Sequence, residues 1–196
     1  MRENVLNVYC VKGLRSFFLD ITKTIAYDVT TNIELREFMI KVVAVGKIKE
    51  KAMRSLIDEY VKRLKPFTKL EIIEVADEIA PQNNSEAQNQ LVKEKEGERI
   101  LSKIKDQEYV ILLDLWGDML DSEQFSKKLE QLQTYQTSNI TFVIAGSLGP
   151  GKNVYERCNY RWKLSDLTFT HQMTRILVLE QIYRAYMIQN NNPYHK

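Results

Sequence analysis

Histidine and cysteine are scarce: two of each in 196 residues. Cys10 and Cys158 lie far apart and in no C-x-x-C or zinc-ligand spacing, which excludes a disulfide scaffold and a cysteine-based zinc site. Imidazole chemistry has only His171 and His195 to draw on. The first strand-like run leads into A-V-G-K-I-K with a single glycine, so there is no G-x-G-x-x-G dinucleotide loop. Neither the phosphate loop G-x-x-x-x-G-K-[ST] nor the nucleophile elbow G-x-S-x-G occurs. No apolar run reaches the length of a membrane span. The first residues also lack the apolar core and small-residue cleavage site of a secretory signal, so a cytoplasmic protein without membrane contact is expected.

A strong net charge is missing too. The formal charge is +2, which does not mark the whole chain as a nucleic-acid binder. Its distribution is uneven. From Gly149 onward Lys152, Arg157, Arg161, Lys163, Arg175, Arg184 and Lys196 face only Glu156, Asp166 and Glu180, a local +4. Such an excess suits an anionic partner and equally suits a solvated face.

What is abundant is core material. With 44% hydrophobic residues the chain can build one domain with a sizeable core. The organising stretch is residues 140–149, I-T-F-V-I-A-G-S-L-G: a buried-strand run followed by two glycines. Residues 113–117 form a second strand-to-glycine junction, and residues 164–169 a third candidate loop. In open α/β sheets ligands sit at the carboxyl ends of strands, so the three junctions either line one pocket or are tight turns ending core strands.

Residues 1–38 hold five basic and five acidic residues, one apolar patch and no clean period, which predicts a poorly ordered or loosely docked extension. Met39, just before the first convincing strand, is a candidate true start; the alternative is a genuine extra segment. From there the pattern is regular. Strands are expected at 40–45, 70–75, 109–115 and 140–144, and helices at 50–64, from Ser85 to about 104, and at 122–135. Pro66 stops the first helix, and Ser85 with Gln88 makes a capping box for the second. The run K-E-K-E-G-E-R in that second helix reads as a solvated face. A short helix at 154–162, an extended piece near Leu164, and a last helix at about 170–188 complete the chain. This alternation predicts an α/β fold, a mainly parallel sheet with helices on both faces.

Several motifs in order make the reading specific. They are A-V-G-K-I-K-E-K at 44–51, K-L-E-I-I-E-V-A-D-E at 69–78, K-E-K-E-G-E-R-I-L at 93–101, F-V-I-A-G-S-L-G at 142–149, H-Q-M-T-R at 171–175, E-Q-I-Y-R-A at 180–185 and the terminal P-Y-H-K. Residues 39–196 thereby resemble the RlmH family, the bacterial ribosomal RNA large subunit methyltransferase H proteins of the SPOUT superfamily; residues before Met39 match nothing in it. The resemblance implies a C-terminal trefoil knot, a homodimer and S-adenosylmethionine as methyl donor, with no metal. It also implies methylation of N3 of a pseudouridine in a 23S rRNA hairpin loop on the assembled ribosome.

By position, the resemblance places Leu113, Ala145 and Gly146 in the donor pocket. Leu164, Ser165, Asp166, Leu167, Thr168 and Phe169 correspond to the loop around the adenine. His171, Arg175, Glu180, Arg184, Tyr194, His195 and Lys196 correspond to the polar acceptor constellation. Within it His195 is the first candidate for base or orienting group, Tyr194 for stacking on a base, and Arg184 and Lys196, with Arg157 or Arg161, for phosphates. Two positions depart from the family pattern: Ala145 stands where glycine is usual, and Thr170 where proline is usual before His171. At a positive φ the Ala145 methyl would cost about 1–2 kcal/mol. Thr170 offers a helix cap in exchange for the lost ring. The alternative reading is a ribosome-associated RNA-binding protein of the same fold that has lost donor binding through these two changes.

Overall fold

The computed structural model describes residues 38–79 and 85–195. The expectations for residues 1–37, for part of the loop at 77–84, and for Lys196 fall outside these residues.

The elements follow in the order β1 (Met39–Val45), α1 (Lys51–Leu64), β2 (Lys69–Val75), α2 (Glu86–Leu101), β3 (Tyr109–Met119), α3 (Ser122–Tyr135), β4 (Asn139–Ile144), α4 (Lys152–Arg157), β5 (Tyr160–Lys163) and α5 (His171–Gln189). The strands form one five-stranded sheet in the order β2-β1-β4-β3-β5, every pair parallel. The parallel sheet with helices on both faces is as the alternation predicts. Because all strands point one way, the carboxyl ends of β4, β3 and β5 are side by side.

The two-residue period of the strands sorts their side chains. Ile40, Val42, Ala44, Ile111, Ile140, Phe142, Ile144 and Trp162 bury one face against α1, α3 and α5. Val43, Val45, Val75, Val110, Leu112 and Val143 bury the other against Ile100 of α2 and Val154 of α4. The first face is anchored by aromatics: the Trp162 and Phe125 rings stack at 4.2 Å, tilted by only 5°. Truncation of such a buried ring costs about 3–5 kcal/mol.

Local chemistry sets the helix starts. Ser85 and Gln88 form the expected reciprocal capping box on α2, and Asp121 with Gln124 forms a second on α3. Thr170 caps α5, its hydroxyl accepting from the Met173 N–H at 3.3 Å.

Two expectations change. Residues 154–162 are not one helix: α4 ends at Arg157, and Tyr160–Lys163 becomes the edge strand β5. The reason is tertiary. The Cys158 backbone turns extended, and the Asn159 N–H and side-chain oxygen both bond to the backbone of Val110, which drags the next residues alongside β3. K-E-K-E-G-E-R is not a solvated face throughout, because Glu96 and Gly97 are buried.

One charge is buried in the sheet itself. Lys41, on central strand β1, donates to Glu108 at 2.7 Å and to the Lys103 carbonyl at 2.9 Å, and the Thr141 hydroxyl donates to the same carboxylate at 2.5 Å. Burial raises the pKa of Glu108, but Lys41 and Thr141 outweigh it, so the net shift is downward. A depressed carboxylate stabilises the fold above its unfolded value of 4.5, and that contribution disappears as pH falls through the lower folded value. Glu108→Ala leaves Lys41 buried without its counter-charge and is expected to cost about 3–5 kcal/mol in urea unfolding, against about 1 kcal/mol or less for the apolar double replacement Lys41→Met/Glu108→Leu.

Candidate active site

The register brings the three junctions close to one another. Leu112 pairs with Val143 and Leu113 with Trp162, so Leu113 lies beside the Ile144–Ala145 step and next to the start of residues 164–169. Leu113 and Leu164 pack against the same apolar core. The second junction differs from a simple strand end: Leu113 and Asp118 both sit opposite Trp162, so residues 114–117 leave the ladder and β3 resumes to Met119. This excursion is anchored. The Arg161 guanidinium binds the buried Asp114 carboxylate at 2.6 Å and reaches the Trp116 carbonyl at 3.3 Å.

Gly146 packs closely against the Glu96 side chain. A Cβ there would come within 2.5 Å of a Glu96 carboxylate oxygen. Glu96 also accepts from the Glu78 N–H at 3.0 Å, so it ties the segment after β2 to the end of β4, and its burial raises its pKa. Sequence reasoning missed Glu96, since its neighbours in the charge run are solvent-facing. Ala145, by contrast, is not strained: among the described residues Asn191 is the one non-glycine with positive φ.

Residues 164–169 form a loop whose backbone N–H and C=O groups make no backbone–backbone hydrogen bond among the described residues. The Leu167 N–H bonds the Ser165 hydroxyl at 3.0 Å, and Asp166 pairs with Lys163 at 2.5 Å. Leu167 and Phe169 are solvent-exposed. Uncommitted backbone groups and apolar side chains beside a glycine step fit a purine, whose edge takes N–H and C=O partners and whose faces take apolar walls. Among the described residues no group of three or more His, Cys, Asp or Glu is placed to hold a metal.

The acceptor constellation divides in two. Glu180, Arg184, Tyr194 and His195 form one cluster: Arg184 binds Glu180 through two nitrogens at 3.0 and 2.6 Å, and the Tyr194 hydroxyl donates to the same oxygen at 3.3 Å. The Arg184 guanidinium lies 4.9 Å over the Tyr194 ring. Burial, Glu180 and Tyr60 push the Tyr194 phenol up to about 12, so it is a hydrogen-bond donor at neutral pH. Arg184 also contacts His195 Nδ1 at 3.3 Å. A guanidinium can only donate, so that nitrogen accepts, and the proton of neutral His195 is assigned to Nε2. The cluster is backed by Tyr183, edge-on to Tyr194 at 5.0 Å, and by Tyr60 and Arg63 of α1, which no motif had singled out.

His171 and Arg175 lie elsewhere, 9 to 13 residues up α5 from Glu180 and Arg184 in the case of His171, or roughly 14–20 Å along the axis. Arg175 is buried and forks to the carbonyls of Val45 and Gly46, both at 2.6 Å, and to Glu74 at 2.7 Å. His171 packs on Gly46, which adopts φ +79°; a Cβ there would lie 3.3 Å from the imidazole. No hydrogen bond or ion pair among the described residues joins the Glu180–His195 cluster to Leu113, Ala145, Gly146 or the loop at 164–169.

These features define a class: a parallel α/β domain with its uncommitted loops at the carboxyl ends of adjacent strands and a polar cluster on its last helix and tail. Residues 38–195 match the family described as predicted SPOUT methyltransferase, and the chain belongs to that family. It is 52% identical over 157 residues to the ribosomal RNA large subunit methyltransferase H of Latilactobacillus sakei, covering 80% of this chain and 99% of that protein. Proteins of the same name from Clostridium perfringens and Lactobacillus delbrueckii subsp. bulgaricus are 52% and 53% identical over the same coverage.

Burial, with Arg175 adding to it, lowers the His171 pKa below the ordinary 6.5. The neutral ring therefore stabilises the fold above pH 6.5, and the contribution is lost as pH falls through the folded value. A proton NMR titration should place His171 below 6.5, with unfolding free energy declining as pH drops below that point; a His171 value above 6.5 would contradict this packing.

Proposed function

We propose that this chain is an S-adenosylmethionine-dependent methyltransferase of large-subunit ribosomal RNA, acting on N3 of a pseudouridine in a 23S hairpin loop of the assembled ribosome. The observation that carries the reading is the 52% identity, over nearly the full length of the relative, to a protein named ribosomal RNA large subunit methyltransferase H. The departures that would favour a binding-only protein do not disturb the fold: Ala145 avoids positive φ and Thr170 caps α5.

Leu113, Ala145, Gly146 and residues 164–169 would hold the donor, with the loop backbone meeting the adenine edge and Leu167 and Phe169 shielding its faces. When bound, S-adenosylmethionine supplies a methyl group on a sulfonium sulfur. The protein's task is to align the acceptor nitrogen with it, which is worth more than base catalysis. Tyr194 would stack on a base, and Arg184 would face the charge that develops as the imide N3–H is lost. With Nδ1 taken by Arg184, His195 presents an N–H rather than a lone pair, which suits an orienting group better than a general base.

The domain proposed to carry the activity is 39–196, with the preceding residues an extension dispensable for it. The Phe38 carbonyl, which accepts from the Lys69 N–H and the Thr68 hydroxyl, belongs with the domain, so the informative deletion is 1–37. The reading includes a trefoil knot. Its support is the path of residues 164–170, which leave edge strand β5 and cross the ends of β3 and β4 to reach Gly46 at the end of β1. It also includes a homodimer, supported by the exposed Leu167 and Phe169 of the donor loop and Met173 at the start of α5, which call for a cover. A cytoplasmic location follows from the ribosomal substrate.

Mass spectrometry of 23S rRNA from cells lacking the gene should show one methyl group missing from a pseudouridine-containing fragment; an unchanged fragment refutes the activity. Light scattering should give about twice the 23.0 kDa chain mass, and twice the shortened chain's mass after deletion of residues 1–37. Truncation after Asn192 should abolish transfer while leaving donor affinity intact. His195→Ala should lower turnover about tenfold, whereas a hundredfold loss would make it the base.

A further inference from the structure

Trp116 and Trp162 are the only two tryptophans, and they sit in opposite environments. Trp162 is 2% exposed in the core, whereas Trp116 is 82% exposed at the rim of a depression of about 400 Å³. Tyr155, Cys158, Asn159, Tyr160 and Arg161 form the rest of its lining with Gly117 and Asp118. An indole exposed on a loose loop would mean little. This one is presented by the anchored excursion of β3: the Trp116 N–H bonds Asp114 at 3.3 Å, its carbonyl is held by Arg161, and Gly117 lies so close to β5 that a Cβ would come within 2.6 Å of the Arg161 backbone.

We infer that this depression docks an unpaired nucleobase of the RNA strand, flanking the base that is methylated; the inference rests on the rRNA reading above. Three aromatic rings and the Arg161 guanidinium line it, and Lys128 of α3 lies against one of those rings. The Arg161 guanidinium lies 5.1 Å from the Tyr155 ring centroid, and the Lys128 ammonium 3.7 Å from that of Tyr160. Unpaired bases are held by stacking on aromatic side chains and guanidinium planes, with phosphates met by cations at the rim. Asn159 and Asp118 offer an amide and an acceptor to a base edge. The position fits as well: Trp116 is three residues beyond Leu113, so their Cα atoms lie within about 11 Å, a span of a few stacked nucleotides. An apolar peptide is the poorer occupant, since the rim is charged and polar.

Tryptophan emission reports on the site directly, because Trp162 is shielded. Titration with a short single-stranded RNA should quench the exposed component in the full-length protein, and Trp116→Ala should abolish the response. Steady-state transfer to 70S ribosomes should show KM raised about 10- to 100-fold in Trp116→Ala, with kcat and S-adenosylmethionine affinity unchanged and with Trp116→Phe restoring most of the loss. Absence of quenching, or a wild-type KM in Trp116→Ala, overturns the inference, as does a Trp116→Ala protein whose mass falls to that of one chain, which would make the patch a subunit contact. If the wild-type protein transfers no methyl group to rRNA, the functional reading fails, and the RNA titration still decides the inference by itself.

Discussion

The arrangement of this domain depends on where one buried guanidinium is held. Arg175 sits in the first turns of α5 with three acceptors around it, the carbonyls ending β1 and the Glu74 carboxylate near the end of β2. Desolvation lowers its pKa, and Glu74 offsets that effect; a charge this deep persists only because it is bonded on several sides. Among the described residues its Nε finds no partner, so the fork is set by the terminal nitrogens. This contact holds the start of α5 at the end of β1, three strands away from the edge strand β5 that it follows. The connection at 164–170 therefore has to cross the ends of β3 and β4. A loop carried over strand ends has no neighbouring strand to pair with, and among the described residues its backbone makes no backbone–backbone hydrogen bond, which leaves most of its N–H and C=O groups open to a ligand.

Much of this was legible in the sequence. The apolar runs of β1, β2 and β4 and the amphipathic stripe of α1 have clear periods, and α2 and α5 begin at polar residues whose side chains cap them. The strand-to-glycine step at Ala145–Gly146 and the loop at 164–169 were visible as candidates by the same local chemistry. What was not legible depends on distant partners. Tyr160–Lys163 is too short and mixed to carry a period, and becomes a strand because β3 offers it an edge. Lys41 interrupts an apolar run and would pass for a solvent-facing residue without Glu108, 67 positions away.

Glu96 is the most instructive of these. It lies in a run of alternating charges whose ordinary fate is solvent, yet its helix is drawn against α4 by two glycines and an asparagine. A Cβ at Gly97 would meet the Asn153 side chain at 2.2 Å, and one at Gly151 would meet both that side chain and the Lys93 carbonyl at 2.7 Å. Asn153 then donates to the Glu94 carbonyl at 3.1 Å. With the two helices that close, the face carrying Glu96 has nowhere to point but the end of β4. The small residue at position 146 and the acid at position 96 are thus two sides of one constraint, though neither announces the other in sequence.

Charge shows the same gap between composition and structure. Counted along the chain, the region after Gly149 carries a clear basic excess. In the fold Arg175 pairs with Glu74, Arg161 with Asp114, Arg184 with Glu180, Lys163 with Asp166 and Lys152 with Glu156. Two of these acids, Glu74 and Asp114, come from outside the region, which halves the excess. Arg157 bonds instead to the carbonyls of Lys105, Asp106 and Glu108, and among the described residues it pairs with no carboxylate. Each paired cation has to give up or share its partner to meet a phosphate, so the counterion release that drives nonspecific RNA binding is small here. Under the proposed function, an RNA ligand would then be held largely by shape and by stacking on Tyr194 and the β3 excursion, surfaces that suit unpaired bases better than duplex RNA.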